Sequence, residues 1–301
     1  MTPQVEAQMN LWQKIRWRAG FILTQMWGKD PSVIMFSLRS KERRGPEELA
    51  KFLAKHRRIG QDQERKVISY RGYLFEYGGS ANLLPSVADL VSIWGNDDGY
   101  FKRNFIDSGA FFFEGPYTDQ QVAIRKGEVV IDAGANIGLF TAFASKKTGP
   151  TGRVYAFEPV ERTKRLLETN VKNNGLENAQ VVPFALGGAD SEIIFSVPDK
   201  LGDSSPYQQG NHRTEKARQI RLDSFLEENG IGRLDFIKAD IEGMEREMLR
   251  GAENSIKRFK PKVSICTYHR PDDPQVLEEM LLGFVPQYKI RKSRTKLFAW
   301  I

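Results

Sequence analysis

Val129-Val130-Ile131-Asp132-Ala133-Gly134-Ala135-Asn136-Ile137-Gly138 decides the fold of this chain. An apolar run breaks into a glycine turn and then a helix start, the pattern of a buried parallel strand that delivers a ligand cradle at its carboxyl end. The spacing discriminates between cofactors. A dinucleotide cradle needs G-x-G-x-x-G to press backbone and helix N-terminus against a pyrophosphate, whereas this stretch reads D-x-G-x-x-x-G. An acid ending the strand repels a pyrophosphate and suits a ligand carrying an ammonium and a sulfonium, which points to S-adenosylmethionine (SAM). Gly134 is expected to let the backbone approach the ligand, and Gly138 to let helix and strand pack closely. About twenty residues on, Arg153-Val154-Tyr155-Ala156-Phe157-Glu158-Pro159 is a second short strand ending in a carboxylate, suited to a bidentate grip on both ribose hydroxyls.

Around this centre, strand and helix signals alternate after Lys126-Gly127, which argues for βαβ units and a parallel sheet. Strands are expected near 128–132, 153–157, 179–185, 234–239 and 262–268, and helices near 137–147, 160–173, 244–257 and 273–282. Ser191 to Val197 and Gln219 to Leu222 read as an added antiparallel pair bracketing a polar loop, Asp199 to Lys216. Gln287 to Arg291 and Leu297 to Ile301 read as a terminal antiparallel hairpin. Upstream, the aromatic stretch from Tyr70 to Tyr117 suggests short strands and loops forming a lid over the cofactor. The expected organisation is an N-terminal extension over residues 1–105, helical and then aromatic-rich, followed by the main domain over 106–301.

The bulk properties bound the partners. With 301 residues and a formal net charge of +7, the chain can bury one sizeable core, and its basic excess permits acidic partners without naming one. Cys266 is the single cysteine, which excludes an intramolecular disulfide and a cysteine-rich zinc site. No run reaches the ~18 apolar residues of a membrane span, and the first residues lack a signal-peptide cleavage pattern, so a soluble, cytoplasmic protein is expected. Residues 11–27 mix Trp12, Ile15, Trp17 and Phe21 with Lys14, Arg16 and Arg18 at helical spacing, a pattern suited to peripheral contact with an anionic membrane or to packing on the chain's own domain.

Val130 to Gly138, Ala156-Phe157-Glu158-Pro159, Ala185-Leu186-Gly187, Leu222-Asp223-Ser224-Phe225, and above all Ile237-Lys238-Ala239-Asp240-Ile241-Glu242-Gly243 together resemble the FkbM family of SAM-dependent methyltransferases over roughly residues 110–301. The resemblance implies an α/β, class I (Rossmann-like) methyltransferase fold: a mostly parallel seven-stranded sheet with a C-terminal antiparallel hairpin, here carrying a helical N-terminal extension. It also implies methyl transfer from SAM, in most members to a hydroxyl of a small molecule, a sugar or a lipid-linked product.

The expected cofactor residues are Asp132, Gly134, Asn136, Gly138, Glu158, Ala185, Leu186 and Asp240. In this reading Asn136 reaches the methionine carboxylate, and the Phe184-Ala185-Leu186 loop meets the adenine edge. Tyr117 either closes over the same carboxylate or sits in the core. An aliphatic hydroxyl is a poor nucleophile unless its proton leaves as the bond forms, so a base or a metal is wanted. His269 and Asp240, each following a strand, are the catalytic candidates, with His269 as a neutral imidazole base. Asp240 with Glu242 and Glu245 nearby would suit Mg2+, but Glu245 falls in a first helical turn, where the dipole favours acids anyway, and Glu242 suits a cap, so no metal is expected. Lys238 reads as a paired structural cation.

Competing functions are methylation of RNA or protein, and a non-catalytic SAM-fold interaction module. Nucleic acid is disfavoured because Asp240-Ile241-Glu242-Gly243 replaces the proline-aromatic motif of base N-methylation, and Cys266 falls inside a strand.

Overall fold

The computed structural model describes residues 60–62, 66–78, 83–94, 97, 116–197 and 213–301. The segment 11–27, the centre of the 199–216 loop and the expected boundary near residue 105 lie outside them. In chain order the elements begin with β1 (Gly60–Asp62), β2 (Val67–Tyr70), β3 (Tyr73–Glu76) and α1 (Leu83–Trp94). There follow β4 (Val129–Ala133), α2 (Leu139–Thr148), β5 (Arg153–Phe157), α3 (Glu161–Asn173), β6 (Ala179–Val182), β7 (Phe184–Leu186), β8 (Ser191–Val197) and β9 (Arg213–Ile220). The chain ends with α4 (Leu222–Glu228), β10 (Phe236–Ala239), α5 (Glu245–Gly251), α6 (Glu253–Phe259), β11 (Lys262–Cys266), α7 (Asp273–Phe284), β12 (Lys289–Lys292) and β13 (Lys296–Trp300).

Seven strands form the main sheet in the order β12-β13-β11-β10-β4-β5-β6. The five from β11 to β6 run parallel, β13 runs antiparallel to β11, and the edge strand β12 runs antiparallel to β13. Both faces are covered, and the strand pleat sorts side chains between them. Val130, Phe236 and Phe298 enter one core with α2 and the N-terminal elements, whereas Ile131, Ile237, Val263 and Leu297 enter the other. Helix α2 is buried along most of its length, which explains why Leu139-Phe140-Thr141-Ala142-Phe143-Ala144 lacks an amphipathic stripe.

Four expectations are corrected. The strand foreseen over 179–185 breaks at Pro183, which has no N–H for a ladder, and β7 leaves to join a small sheet, β7-β9-β8. The helix over 244–257 is two helices meeting at Ala252, next to Gly251, which packs so closely on Gly187 that a Cβ there would stand 2.0 Å from its carbonyl oxygen. Strand β9 starts at Arg213 rather than near 219, pairing from Arg213↔Val197 to Gln219↔Ser191. Of the aromatic stretch expected to form a lid, Tyr70 to Trp94 pack as core, while residues 98–115 lie outside the described residues. Trp94 is fully buried and meets Phe143 edge-on at 5.2 Å, with Tyr70 and Tyr73 each 5.5 Å away.

Two asparagines on α3 tie the N-terminal sheet to this body. Asn170 accepts from the Glu76 N–H at 2.7 Å and donates to the Glu76 carbonyl at 3.0 Å, and Asn174, one turn later, makes the same pair with Leu74 at 2.7 and 2.6 Å. Their amides thus supply the edge of β3 with the partner groups of a neighbouring strand. Asn170 also donates to the Ile137 carbonyl at 2.8 Å, so the same side chain steadies the glycine turn.

Candidate active site

From β4 the chain winds outward one way through β5 and β6, and later the other way through β10 and β11. The carboxyl ends of β4 and β10 therefore flank a topological switch point, where open α/β sheets bind ligands. A cavity lies there, lined by the turn Gly134–Ile137, by Glu158, by Phe184, Ala185 and Leu186, by Lys238, and by Asp240 and Glu242. Asp89, Ile93 and Tyr117 enter the lining from the N-terminal side.

The turn is shaped by its backbone. Gly134 has φ +75°, and a Cβ on it would lie 1.9 Å from the Asp240 carbonyl oxygen, so the two strand tips touch through the space a side chain would fill. Gly138 has φ +91° and faces α3, where a Cβ would meet Leu167 at 2.7 Å. It spaces a helix from the turn and does not line the cavity. Asn136 and Glu242 also carry positive φ, 50° and 54°, a sparsely populated conformation for non-glycine residues that concentrates at functional sites. The side-chain oxygen of Asn136 is buried without a hydrogen-bond partner beside the cavity.

Asp132 is placed differently from the expectation of a direct cofactor grip. It is fully buried and absent from the cavity lining, because the pleat turns it with Val130 toward α2. Its Oδ2 accepts from the Thr141 hydroxyl at 2.6 Å, and its Oδ1 is 3.2 Å from Nζ of Lys238, the residue in register on β10. Lys238 in turn donates to the carbonyls of Gly134 at 2.7 Å and Ala133 at 3.1 Å. Burial alone would lower the lysine pKa, but Asp132 and Asp240 outweigh it and keep the ammonium charged. Asp132 therefore acts on the turn through Lys238.

Glu158 does face the cavity. Its two oxygens accept from the Asn136 and Val160 N–H groups, each at 3.0 Å, and it is 7% exposed. Burial pushes its pKa up to about 7; those two N–H groups and Lys238 offset only part of the cost. A polar ligand that hydrogen-bonds to this carboxylate meets an acceptor already oriented.

At the neighbouring strand ends a second polar group gathers. Asp240 accepts from Tyr117 Oη at 2.6 Å and Tyr268 Oη at 3.2 Å. Burial would raise its pKa, yet Lys238, His269 and Lys296 together hold it down at about 2. Lys296, 1% exposed, stacks its ammonium 4.2 Å from the Tyr117 ring centroid. His269 Nε2 stands 3.7 Å from Asp240 and 3.5 Å from Glu242, and Nδ1 stands 3.0 Å from Glu245. Burial opposes its charge, but Glu245, Asp240 and Glu242 raise its pKa to about 9. With no cation between them, these carboxylates favour a proton on the ring, in contrast to the neutral imidazole base expected from the sequence. Tyr268, Lys296 and Thr141 escaped the sequence reading, which took Glu245 only as an acid of the first helical turn near a conceivable cation. Tyr268 had a signal, since it is adjacent to a named residue at a strand end.

A sheet in this order, with a glycine turn after its central strand and a cavity-facing carboxylate ending the next, defines a class I SAM-dependent methyltransferase. The sequence profile described as methyltransferase FkbM domain matches residues 132–289, and the chain belongs to that family. Methyltransferase 1 of Beauveria bassiana is 26% identical over 56% of this chain and 74% of its own length. The hexuronic acid methyltransferase AglP of Haloferax volcanii is 26% identical over 58% of this chain and 67% of its own. The crystal structure of methyltransferase FkbM from Methylobacillus flagellatus aligns with a TM-score of 0.44 and 23% identity, covering 65% of this chain and 46% of that one. The chain thus spans less than half of that solved protein. Among the described residues no helix is long and apolar enough to cross a membrane.

Proposed function

We propose that the chain transfers the methyl group of SAM to a hydroxyl oxygen of a small-molecule, sugar or lipid-linked acceptor. The observation that carries this reading is Asp240 lining the cavity together with Tyr117 and Glu158, while Tyr268 and His269 stand against Asp240 from outside the lining. The residues present fit the cofactor: an oriented carboxylate for ribose hydroxyls, an unpartnered Asn136 amide oxygen, and apolar walls from Ile137, Phe184 and Leu186 for the adenine. Bound there, SAM supplies an electrophilic methyl group whose leaving sulfur is neutral. The chain's own task is then to position the acceptor and exclude water.

Asp240 is the carboxylate in reach of an acceptor hydroxyl. Held ionised by its cationic neighbours, it accepts that hydrogen bond and directs the oxygen's lone pair, while its two tyrosines fix the carboxylate plane. So weak a base orients a hydroxyl better than it carries a proton away. A hydroxylated small molecule is favoured over nucleic acid, in keeping with a relative named for a hexuronic acid. The single, buried Cys266 suits a reducing cytoplasmic setting.

Incubation of the purified full chain with methyl-labelled SAM and a cell extract separated into small-molecule, RNA and protein fractions tests the reading. Label is expected in the small-molecule fraction as a base-stable ether. Label confined to RNA or protein, or SAM binding with no transfer to any fraction, overturns it.

The pH dependence of SAM affinity follows from Glu158. Ribose hydroxyls donate to its ionised form, so binding favours the carboxylate and expels a proton. Affinity should be full above pH 8 and fall up to about tenfold per unit as pH drops below about 7, where the free protein's Glu158 is protonated. Calorimetric titration at pH 6 and 8, in buffers of different ionisation heat, reads both the affinity and the released proton.

A further inference from the structure

We propose that Asp240, Glu242 and His269 form a divalent metal site at the cavity, taking a first-row ion such as Mn2+ or Zn2+ through two carboxylates and one imidazole. The proposal revises the expectation of no metal, which considered carboxylates alone. One ligand atom from each of the three lies within 4.8 Å of the others. The separations of His269 Nε2 from Asp240 Oδ1 and Glu242 Oε2, 3.7 and 3.5 Å, are too long for hydrogen bonds. They match the spread of two donors that each stand about 2.0–2.2 Å from a shared ion.

The independent observation is the imidazole itself. Its side chain is 8% exposed, and Nε2, the nitrogen that faces Asp240 and Glu242, has no hydrogen-bond partner. A buried ring nitrogen without a directional partner needs an explanation, and a cation shared with Asp240 and Glu242 supplies one. Glu245, fully buried, stands 3.0 Å from Nδ1 while its Oε1 accepts from the Ile241 N–H, the placement of a carboxylate behind a ligating histidine. The donor set of one nitrogen and two oxygens favours a borderline ion over Ca2+. Lys238 and Lys296 face Asp240 as well, so Glu242 and Glu245 bring the charge that balances a dication.

The purpose of the ion rests on the hydroxyl-transfer reading: bound next to an acceptor hydroxyl, a dication lowers its pKa and eases loss of the proton to water. Binding itself is tested separately. Chelator-stripped full-length protein is titrated with Mn2+ and followed by loss of the free-ion EPR signal. One site per chain is expected, weakened at least about tenfold in His269→Gln and in Asp240→Asn, with a single imidazole-nitrogen coupling in the pulsed spectrum of the wild type. Glu158→Ala, which addresses SAM alone, should leave Mn2+ binding unchanged, so failure of the metal and failure of the cofactor reading are distinct results. No saturable binding up to about 1 mM ion, or saturable binding without nitrogen coupling in the wild type, overturns the proposal even if the variants do not fold.

Discussion

Glu158→Ala should weaken SAM binding at least about 100-fold while the protein stays folded. The carboxylate is the one charged acceptor that the sheet presents to the cavity from the end of β5, and its orientation is fixed in advance by the Asn136 and Val160 N–H groups. Each hydrogen bond to a charged group contributes about 1.5–3 kcal/mol, so losing two ribose contacts costs about 3–6 kcal/mol, or two to four decades in affinity. Glu158→Gln is the informative companion. It keeps one oxygen but turns an amide N–H2 toward a backbone donor, and an intermediate loss is expected. Calorimetry gives the affinities, and thermal melting monitored by circular dichroism checks the fold. A folded Glu158→Ala that binds SAM within about threefold of wild type would remove Glu158 from the cofactor site.

Gly134→Ala should lower stability by roughly 3–5 kcal/mol, near the upper end of single-substitution effects. Two costs combine. The left-handed backbone at φ +75° charges any residue with a Cβ about 1–2 kcal/mol, and the new carbon would fall 1.9 Å from the Asp240 carbonyl oxygen, forcing β4 and β10 apart. Gly175→Ala separates the two. Its φ is +57° with nothing within 4 Å of a built Cβ, so only the backbone cost applies. In a domain of this size each kcal/mol is worth about 2–4 °C, so Gly134→Ala should melt roughly 10 °C below wild type and Gly175→Ala only a few degrees below. Equal melting temperatures for the two would mean that the strand tips accommodate the extra carbon.

The residues that end strands were legible in the text, and so was the sheet. Short apolar runs leading to Asp132, Glu158 and Asp240 mark buried parallel strands, and the structure places these acids at or next to the carboxyl ends of the neighbouring strands β4, β5 and β10. What could not be read was the direction each acid takes. The pleat sends Asp132 sideways to Lys238 and Thr141, while Glu158, past the end of β5, faces the cavity. A hint was present: the lysine in Phe236-Ile237-Lys238-Ala239 is buried and demanded an acid at the same level of an adjacent strand. Strand β9 was hidden for another reason. Arg213-Thr214-Glu215-Lys216-Ala217-Arg218 has little apolar alternation because its sheet exposes much of that strand to solvent, leaving pairing with β8 as the organising force. The surroundings of His269 depend on three carboxylates reached through the fold, Glu245 on α5 and Asp240 and Glu242 on the loop between β10 and α5, and no local pattern encodes that.

The pairing of Asp132 with Lys238 bears on how such a protein can diverge. Exchange of either partner alone strands a buried charge, a loss of about 3–5 kcal/mol, so single-step variants at these positions are close to lethal for folding. Replacing both with apolar residues restores neutrality yet leaves the Ala133 and Gly134 carbonyls without their ammonium donor. Change beneath the cofactor turn is thereby confined to variants that keep both partners.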